Sequence, residues 1–404
     1  LDHEPLRGTG RVLAMNSMSS SGFLSSLLDN MDTLTGPSFS PFQISNEENT
    51  TQTSPLLSLP NNLLDKIVSH IPLRDRTRMV ARVCRSLRDS VNRSIVSVAF
   101  YKTQLDELSD THIKYFLSIH GSKINAINFD LFRSVEDEAC TQWSWRQSVI
   151  TAVKMCTNLR ELDILVCKRH RLRDTDLLTA VPVGLTRLEL EMCLRLTESS
   201  MRFIFNRLRK LKVLYVSELR ILKDPIVSGL VSNLKNLRDL SIIGNPDAPN
   251  MDLSASALCH LARLPRLQNL CLEGIPAVTD RFLAELSDTT TNAAARSITS
   301  LSLAFCFNFS SMGLQRLARM PKLDSLNLDG ITKRDISAGL EKIAAEGRLM
   351  RLLLAEGTNV GCDSLGEIVR KSTRLRLLDI SSNEVLADWA AANGLVITLF
   401  LLIN

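Results

Sequence analysis

The stretch "LRELDILVC", Leu159 to Cys167, places Leu162 and Ile164 two residues apart. That is the period of a β-strand that turns alternate side chains to one side. Working outward, the same L-x-x-L-x-L spacing, with Ile, Val or Phe admitted at the leucine positions, begins at Ile95, Ile124, Leu159, Leu185, Leu211, Leu237, Leu267, Ile298, Leu323, Leu349 and Leu375. The steps between these starts are 29, 35, 26, 26, 26, 30, 31, 25, 26 and 26 residues. Five equal steps make chance a poor explanation and mark an internal repeat.

Within a unit the strand period gives way to a helical one, as in "DTDLLTAV" after Leu159 to Cys167. Three residues past the last strand leucine stands a residue expected to turn the chain inward: Cys167, Cys193, Leu219, Asn245, Ile275, Cys306, Ile331 and Asn383. A compact side chain suits that place, and cysteine behaves as a small hydrophobe. Thr197 and Thr279 precede apolar stretches as helix N-caps, because a hydroxyl can accept from the free amides of the first turn. One strand and one helix cannot bury their inward rows alone; stacked units can, at about 1.5–3 kcal/mol for each fully buried Leu or Ile. Residues 95–383 therefore read as an α/β solenoid of about eleven units. The pattern resembles the cysteine-containing leucine-rich repeats, which implies parallel strands on a concave side and helices on a convex side.

The totals agree with a thin, layered core: in 404 residues, 45% are hydrophobic but only 5% aromatic. Residues 1–54, with "MNSMSSS" and "NEENTTQTSP", bury too little apolar surface to offset their ordering entropy and are predicted to be a disordered tail. Nine cysteines, odd in number and without CxxC pairs, read as reduced thiols of an intracellular protein, cytoplasmic or nuclear. The longest apolar run, Leu395 to Ile403, is nine residues, well short of the roughly 18 that a membrane helix needs. It falls in residues 384–404, which read as a cap or an apolar tail; "GLVITLFLLIN" reads as a final buried strand or as the product of a truncated or alternative reading frame, and if exposed is expected to promote aggregation.

A different block, "SLPNNLLDKIVSHIPLRDRTRMVARVCRSLRDSV" (Ser58 to Val91), precedes the repeats. Pro60 suits a first helical turn, and Leu63, Leu64, Ile67 and Ile71 make a stripe that Pro72 closes. A second short helix is predicted from about Arg74 to Val80 and a third from Val83 to Val91, with Val83, Leu87 and Val91 on one face. Three such helices make a poor independent core, so the block is expected to need a partner. Its charge is local: Arg74, Arg76, Arg78, Arg82, Arg85, Arg88 and Arg93 against Asp75 and Asp89 give +5, the net charge of the whole chain. Such a patch fits an acidic protein surface, nucleic acid or anionic lipid.

The elements Leu59-Pro60, Leu63-Leu64, Ile67, Ile71-Pro72, Asp75 and Val83-Cys84-Arg85 resemble an F-box over residues 55–94. Arg76 and Leu87 depart from that pattern, where an apolar residue and an aromatic are usual. The resemblance implies docking to the Skp-type adaptor of a cullin-RING ubiquitin ligase. Leu59, Pro60, Leu63, Ile67, Ile71 and Pro72 would face the adaptor, with Val83, Cys84 and Leu87 holding the helices together and completing the contact. It further implies that the repeats select the protein to be ubiquitinated and that the arginines steer the block toward an acidic adaptor.

Strand alternation assigns the outward positions. Glu161, Asp163, Glu189, Glu191, Tyr215, Asp239, Ile243, Glu273, Asp329, Leu353 and Asp379 are the candidate client-binding residues. Eight of the outward residues are acidic and two, Arg187 and Arg351, basic, a formal −6 that suits a client segment rich in Lys or Arg. Tyr215, Ile243 and Leu353 would be its apolar anchors. No catalytic pattern accompanies them: the six histidines are scattered, none at metal-ligand spacing to two cysteines, and P-loop, G-x-S-x-G and H-E-x-x-H motifs are lacking. The expectation is a non-catalytic receptor without cofactor or metal and without a membrane partner. The alternative is a leucine-rich scaffold whose arginine block, or the basic stretch "CKRHRLRDTD", meets RNA or another acidic partner.

Overall fold

The computed structural model describes residues 55–71, 75–101, 110–130, 145–165, 181–191, 193, 196–217, 223–244, 253–393 and 401–402. The tail 1–54, Pro72, Arg74, Cys167, Leu219, Asn245, "DTDLLTAV" apart from Val181, and "CKRHRLRDTD" lie outside them. The chain divides into two compact units, Leu1–Ser97 with Asp106–Ser109, and Val98–Leu105 with Asp110–Asn404.

In the first unit, Pro60 precedes the helix Asn61–Ser69, and its carbonyl accepts from the amides of Leu63 and Leu64. A π-helical turn, Arg76–Val80, runs into the short helix Ala81–Val83. Extended backbone at Cys84 (φ −157°, ψ 168°) then breaks the path. The helix Arg85–Ser94 follows, capped by the Cys84 sulfur, which accepts from the Leu87 amide at 3.5 Å. Leu64, Val68, Leu87 and Val91 are the buried core, with Val80, Ala81 and Cys84 packed against it. Two expectations are corrected here. The Leu63–Leu64–Ile67–Ile71 stripe is split, since Leu64 turns inward with Val68 while Leu63 and Ile67 face water. Val83 is 72% exposed and holds nothing together, because the break at Cys84 takes it out of phase with Leu87 and Val91.

The repeats form the second architecture. Eleven strands stand side by side in chain order: β1 (Ser97–Tyr101), β2 (Ala126–Asp130), β3 (Glu161–Leu165), β4 (Arg187–Glu191), β5 (Val213–Ser217), β6 (Asp239–Ile243), β7 (Asn269–Glu273), β8 (Ser300–Ser302), β9 (Ser325–Asn327), β10 (Arg351–Leu353) and β11 (Leu377–Asp379). Each begins two residues after a repeat start read from the sequence. From β2 to β11 neighbours pair in parallel. The pairing is in register, so position matches position: Leu162, Leu188, Leu214, Leu240, Leu270, Leu301, Leu326, Leu352 and Leu378 form one ladder, buried throughout. Parallel pairing demands a crossover between strands, and helices such as Glu198–Arg207, Asp224–Asn233, Asp280–Leu286 and Cys362–Lys371 supply it, successive ones packing on each other. From the apolar C-terminal stretch, Leu401–Leu402 adds a short antiparallel partner to β11.

The inward turn has a second role that packing alone does not require. The Cys193 thiol reaches back to the Ile164 carbonyl (3.9 Å), Cys306 to Leu272 (3.1 Å), the Thr358 hydroxyl to Leu328 (2.9 Å) and the Asn383 amide to Leu354 (3.1 Å). Each donor thus satisfies a carbonyl of the preceding unit, which burial would otherwise leave without water. Burial pushes both thiols up to about 12, so they keep the proton that they donate. Just before this step the backbone turns left-handed at Gly274, Phe305, Gly330, Glu356 and Ser382. At Gly330 only glycine fits, since a Cβ would stand 2.3 Å from the Phe305 ring. Caps are shared sideways as well: Asp224 accepts from the amide and hydroxyl of Ser254, and Asp280 from those of Ser310. Thr197 and Thr279 cap their helices as expected.

Candidate functional site

Two surfaces carry chemistry that the fold does not consume. The first lies on the helical unit. Leu63 and Ile67, one turn apart on the helix Asn61–Ser69, are 46% and 44% exposed, and Met79 is 67% exposed. Leu56, Leu57 and Pro60 are also exposed. Of the other expected adaptor contacts, Leu59, Ile71 and Cys84 are half-buried and Leu87 is buried in the unit's own core. Met79 was missed by the sequence reading; its exposure follows from the π-helical turn, which regular helix spacing does not anticipate.

The arginines divide by task. Arg93 forms a two-pronged pair with Asp65, Nε–Oδ2 and Nη2–Oδ1 both at 2.9 Å. Ser90 donates to the same carboxylate, and these bonds hold Asp65 below the usual carboxylate range. Arg76 stands half-buried, giving Nη1 to the Ser94 hydroxyl (2.8 Å) and carbonyl, and burial lowers its affinity for a proton. Arg88 donates to the Ala81 carbonyl at 3.1 Å. Three of the seven are therefore braces within the unit, where the sequence alone suggested a patch for an acidic partner.

The second surface is the open face of the sheet. Every outward position named above is half-buried or exposed except Asp379, which is 6% exposed. Parallel register stacks like positions: Asp163, Glu189, Tyr215, Ser241, Cys271, Ser302, Asn327, Leu353 and Asp379 form the middle row. Glu161 leads the row beside it, followed by Arg187, Val213 and Asp239, while Glu191, Ile243 and Glu273 lie in the third.

Two of the expected contacts are recruited by the backbone. Asp379 Oδ1 accepts from the Ser381 amide (2.9 Å), an Asx-type bond to the chain two residues on. Asp329 Oδ1 accepts from the Ala355 amide (2.7 Å). Asp379 is thus a turn-holding residue, not a free ligand, because its buried carboxylate is spent on its own loop.

Toward the other end the carboxylates crowd. Arg187 reaches both Asp163 (3.6 Å) and Glu189, and it is the lone base on the outward positions of β3–β7. Burial, and then the neighbouring Glu189, push the Asp163 carboxyl up to about 7 despite that guanidinium. Burial raises Glu189 and Glu273 as well, and lifts Asp329 to about 6. The formal −6 of this face is accordingly an overstatement at neutral pH, since half-buried like charges suppress one another's ionisation.

Among the described residues no group of three or more His, Cys, Asp or Glu side chains is arranged to hold a metal, and no helix is long and apolar enough to cross a membrane.

No protein-family model matches the chain, and no curated protein matches its sequence. Solved structures do resemble it. Rad7 of yeast, crystallised as a complex with Elc1, is 14% identical over 83% of this chain and 89% of its own, with a TM-score of 0.50. The internalin InlF of Listeria monocytogenes is 18% identical over 59% of this chain and 67% of its own (TM-score 0.36). The leucine-rich repeat-containing protein LegL7 of Legionella pneumophila is 13% identical over 69% and 90% (TM-score 0.42). At such identity the likeness is one of fold, and repeat period, parallel ladder and inward-turn donors together make this chain an α/β leucine-rich-repeat solenoid carrying a separate small helical unit.

Proposed function

We propose that this chain is a non-catalytic substrate receptor of a cullin-RING ubiquitin ligase. Its helical unit docks a Skp-type adaptor, and the open face of its sheet holds the protein to be ubiquitinated. The observation that carries this reading is the division of apolar side chains in the helical unit: four residues make its core, while Leu63, Ile67, Met79 and Val83 remain in water. Exposed large aliphatics on so small a body favour an interface. Leu63, Ile67 and Val83 are among the elements through which the block resembles an F-box, and Met79 lies between the last two in the chain. Rad7, a chain of similar fold, was crystallised with a second protein, Elc1, which fits a binding role for such an architecture. The assembly would work in the cytoplasm or nucleus.

The rival reading, an arginine block that grips RNA, has less to work with once Arg76, Arg88 and Arg93 are engaged within the unit. Pull-down of purified Skp-type adaptor by the full chain separates the two. Replacing Leu63 and Ile67 by Asp, or Leu59 and Pro60 by Ala, is expected to abolish capture while the far-ultraviolet spectrum is kept. Undiminished capture by both variants, or no capture by the unaltered chain, overturns the proposal.

A further inference from the structure

The open face of the sheet is uneven. Six carboxylates occupy outward positions on β3–β7 (Glu161, Asp163, Glu189, Glu191, Asp239 and Glu273) against the single Arg187. Beyond β7 the two acids, Asp329 and Asp379, are tied to the backbone. Arg187 is the one basic side chain at these outward positions: Asp239 takes a hydrogen bond from Asn269, and the Glu273 carboxylate has no ion-pair partner among the described residues. Carboxylates that are half-buried side by side suppress one another's ionisation unless a cation arrives.

Tyr215 stands at the centre of this half. In register it lies between Glu189 and Ser241, and past it the middle row drops to the small side chains of Ser241, Cys271 and Ser302. On that side of Tyr215 the middle row thus carries no side chain larger than a cysteine. Burial, and then Glu191, hold its phenol above the ordinary tyrosine range, against a hydrogen bond with Ser217 that lowers it; Glu189 and Glu273 add to the rise. An aromatic face beside carboxylates attracts ammonium and guanidinium groups. Five strands at roughly 4.8 Å spacing extend about 20 Å, the length of an extended segment and not of a single small cation.

We propose that the sheet face from β3 to β7 docks an extended, Lys- and Arg-rich segment of a protein partner, with one cationic side chain laid against the Tyr215 ring between Glu191 and Glu273. The proposal deepens the receptor reading by naming the chemistry of the client, and it rests on that reading only for the client's fate. Charge complementarity selects the occupant: nucleic acid and anionic lipid are repelled by the same carboxylates.

The test uses the full chain and a fluorescein-labelled (Arg-Ser)5 peptide, with (Glu-Ser)5 as its control, read by fluorescence anisotropy at low and high salt. The Arg-Ser peptide is expected to bind in a salt-sensitive manner and the Glu-Ser peptide not at all. Tyr215→Ala, and separately the pair Glu191→Gln and Glu273→Gln, are each expected to weaken binding about tenfold, whereas Tyr215→Phe retains it because the ring face and not the hydroxyl is used. Asp363→Asn, on an exposed helical position, is expected to change nothing. The Leu63→Asp, Ile67→Asp variant must still bind the peptide, which separates failure of this proposal from failure of adaptor docking. Affinity of the Tyr215→Ala and Glu→Gln variants equal to that of the unaltered chain, or displacement of the peptide by a second copy of the chain's own arginine block with dimers on size exclusion, overturns it.

Discussion

The helical unit and the repeats treat leucine in opposite ways. In the repeats every rung from Leu162 to Leu378 is buried, and each unit is completed by its neighbour. In the helical unit Leu64 is buried and adjacent Leu63 is not, although the same residue type stands at both positions. Composition therefore does not distinguish a core residue from a docking residue; the phase of the helix does. A repeat array has many chances to hide an apolar row, whereas three short helices have one small interior, and whatever exceeds it must face outward.

Ways to break this contrast can be ranked by the size of their expected effect. Phe205→Ala, at a fully buried side chain of the Glu198–Arg207 helix, is expected to cost about 3–5 kcal/mol, read from the urea midpoint. A loss below about 1 kcal/mol would mean that the solenoid interior is loosely packed. Leu64→Ala removes one of four core residues of the helical unit and is expected to cost about 2–4 kcal/mol. Hydrogen exchange should then rise over residues 61–94 while protection of β3–β11 is kept; parallel loss in both would show that the two compact units unfold together.

Asp163→Asn sharpens the picture of the sheet face. The folded-state carboxyl titrates at about 7 against an ordinary 3.8, faced by Glu161 on its own strand and by Arg187 and Glu189 on the next. A raised carboxyl means that the folded state binds the proton more tightly, so this group's stabilising contribution is present below about pH 4 and fades as pH rises through about 7. The Asn variant should abolish that decline and be more stable than the parent at pH 8, by about 1–2 kcal/mol after screening by solvent. Thermal melts at pH 5.5 and 8 decide it, and an unchanged pH slope would exclude Asp163 as the titrating group. Smallest in stability and largest in consequence is Leu63→Asp with Ile67→Asp, expected to shift the melting free energy by no more than about 0.5 kcal/mol while removing adaptor capture. A large destabilisation would instead assign both residues to the core.

Much of this architecture was legible in the residues. Leu162 and Ile164, repeated every 26 residues or so, disclose the strand, its inward face and its neighbours, because a period of two admits one set of buried positions. The same alternation correctly lists Glu189 and Tyr215 as outward. It does not show that Asp379 bends back to the Ser381 amide, since such a bond depends on loop geometry beyond the strand. Thr358 escaped for a related reason: it stands one residue later than its counterparts, after the left-handed Glu356 and Gly357. In the helical unit the reading failed at Val83 because a π-helical turn and the extended Cys84 interrupt helical spacing, and neither has a sequence signature as plain as a leucine ladder.

The row of donors at the inward turn gives the solenoid a direction. Every bond from Cys193, Cys306, Thr358 and Asn383 runs toward the amino terminus. Toward the carboxyl terminus the donors grade from thiols into a hydroxyl and then an amide, and sulfur is the weakest donor of the three. Tension applied to the two ends would on this basis open the sulfur-linked rungs ahead of the oxygen- and nitrogen-linked ones, so mechanical failure should start nearer the crowded carboxylates and travel toward the carboxyl terminus.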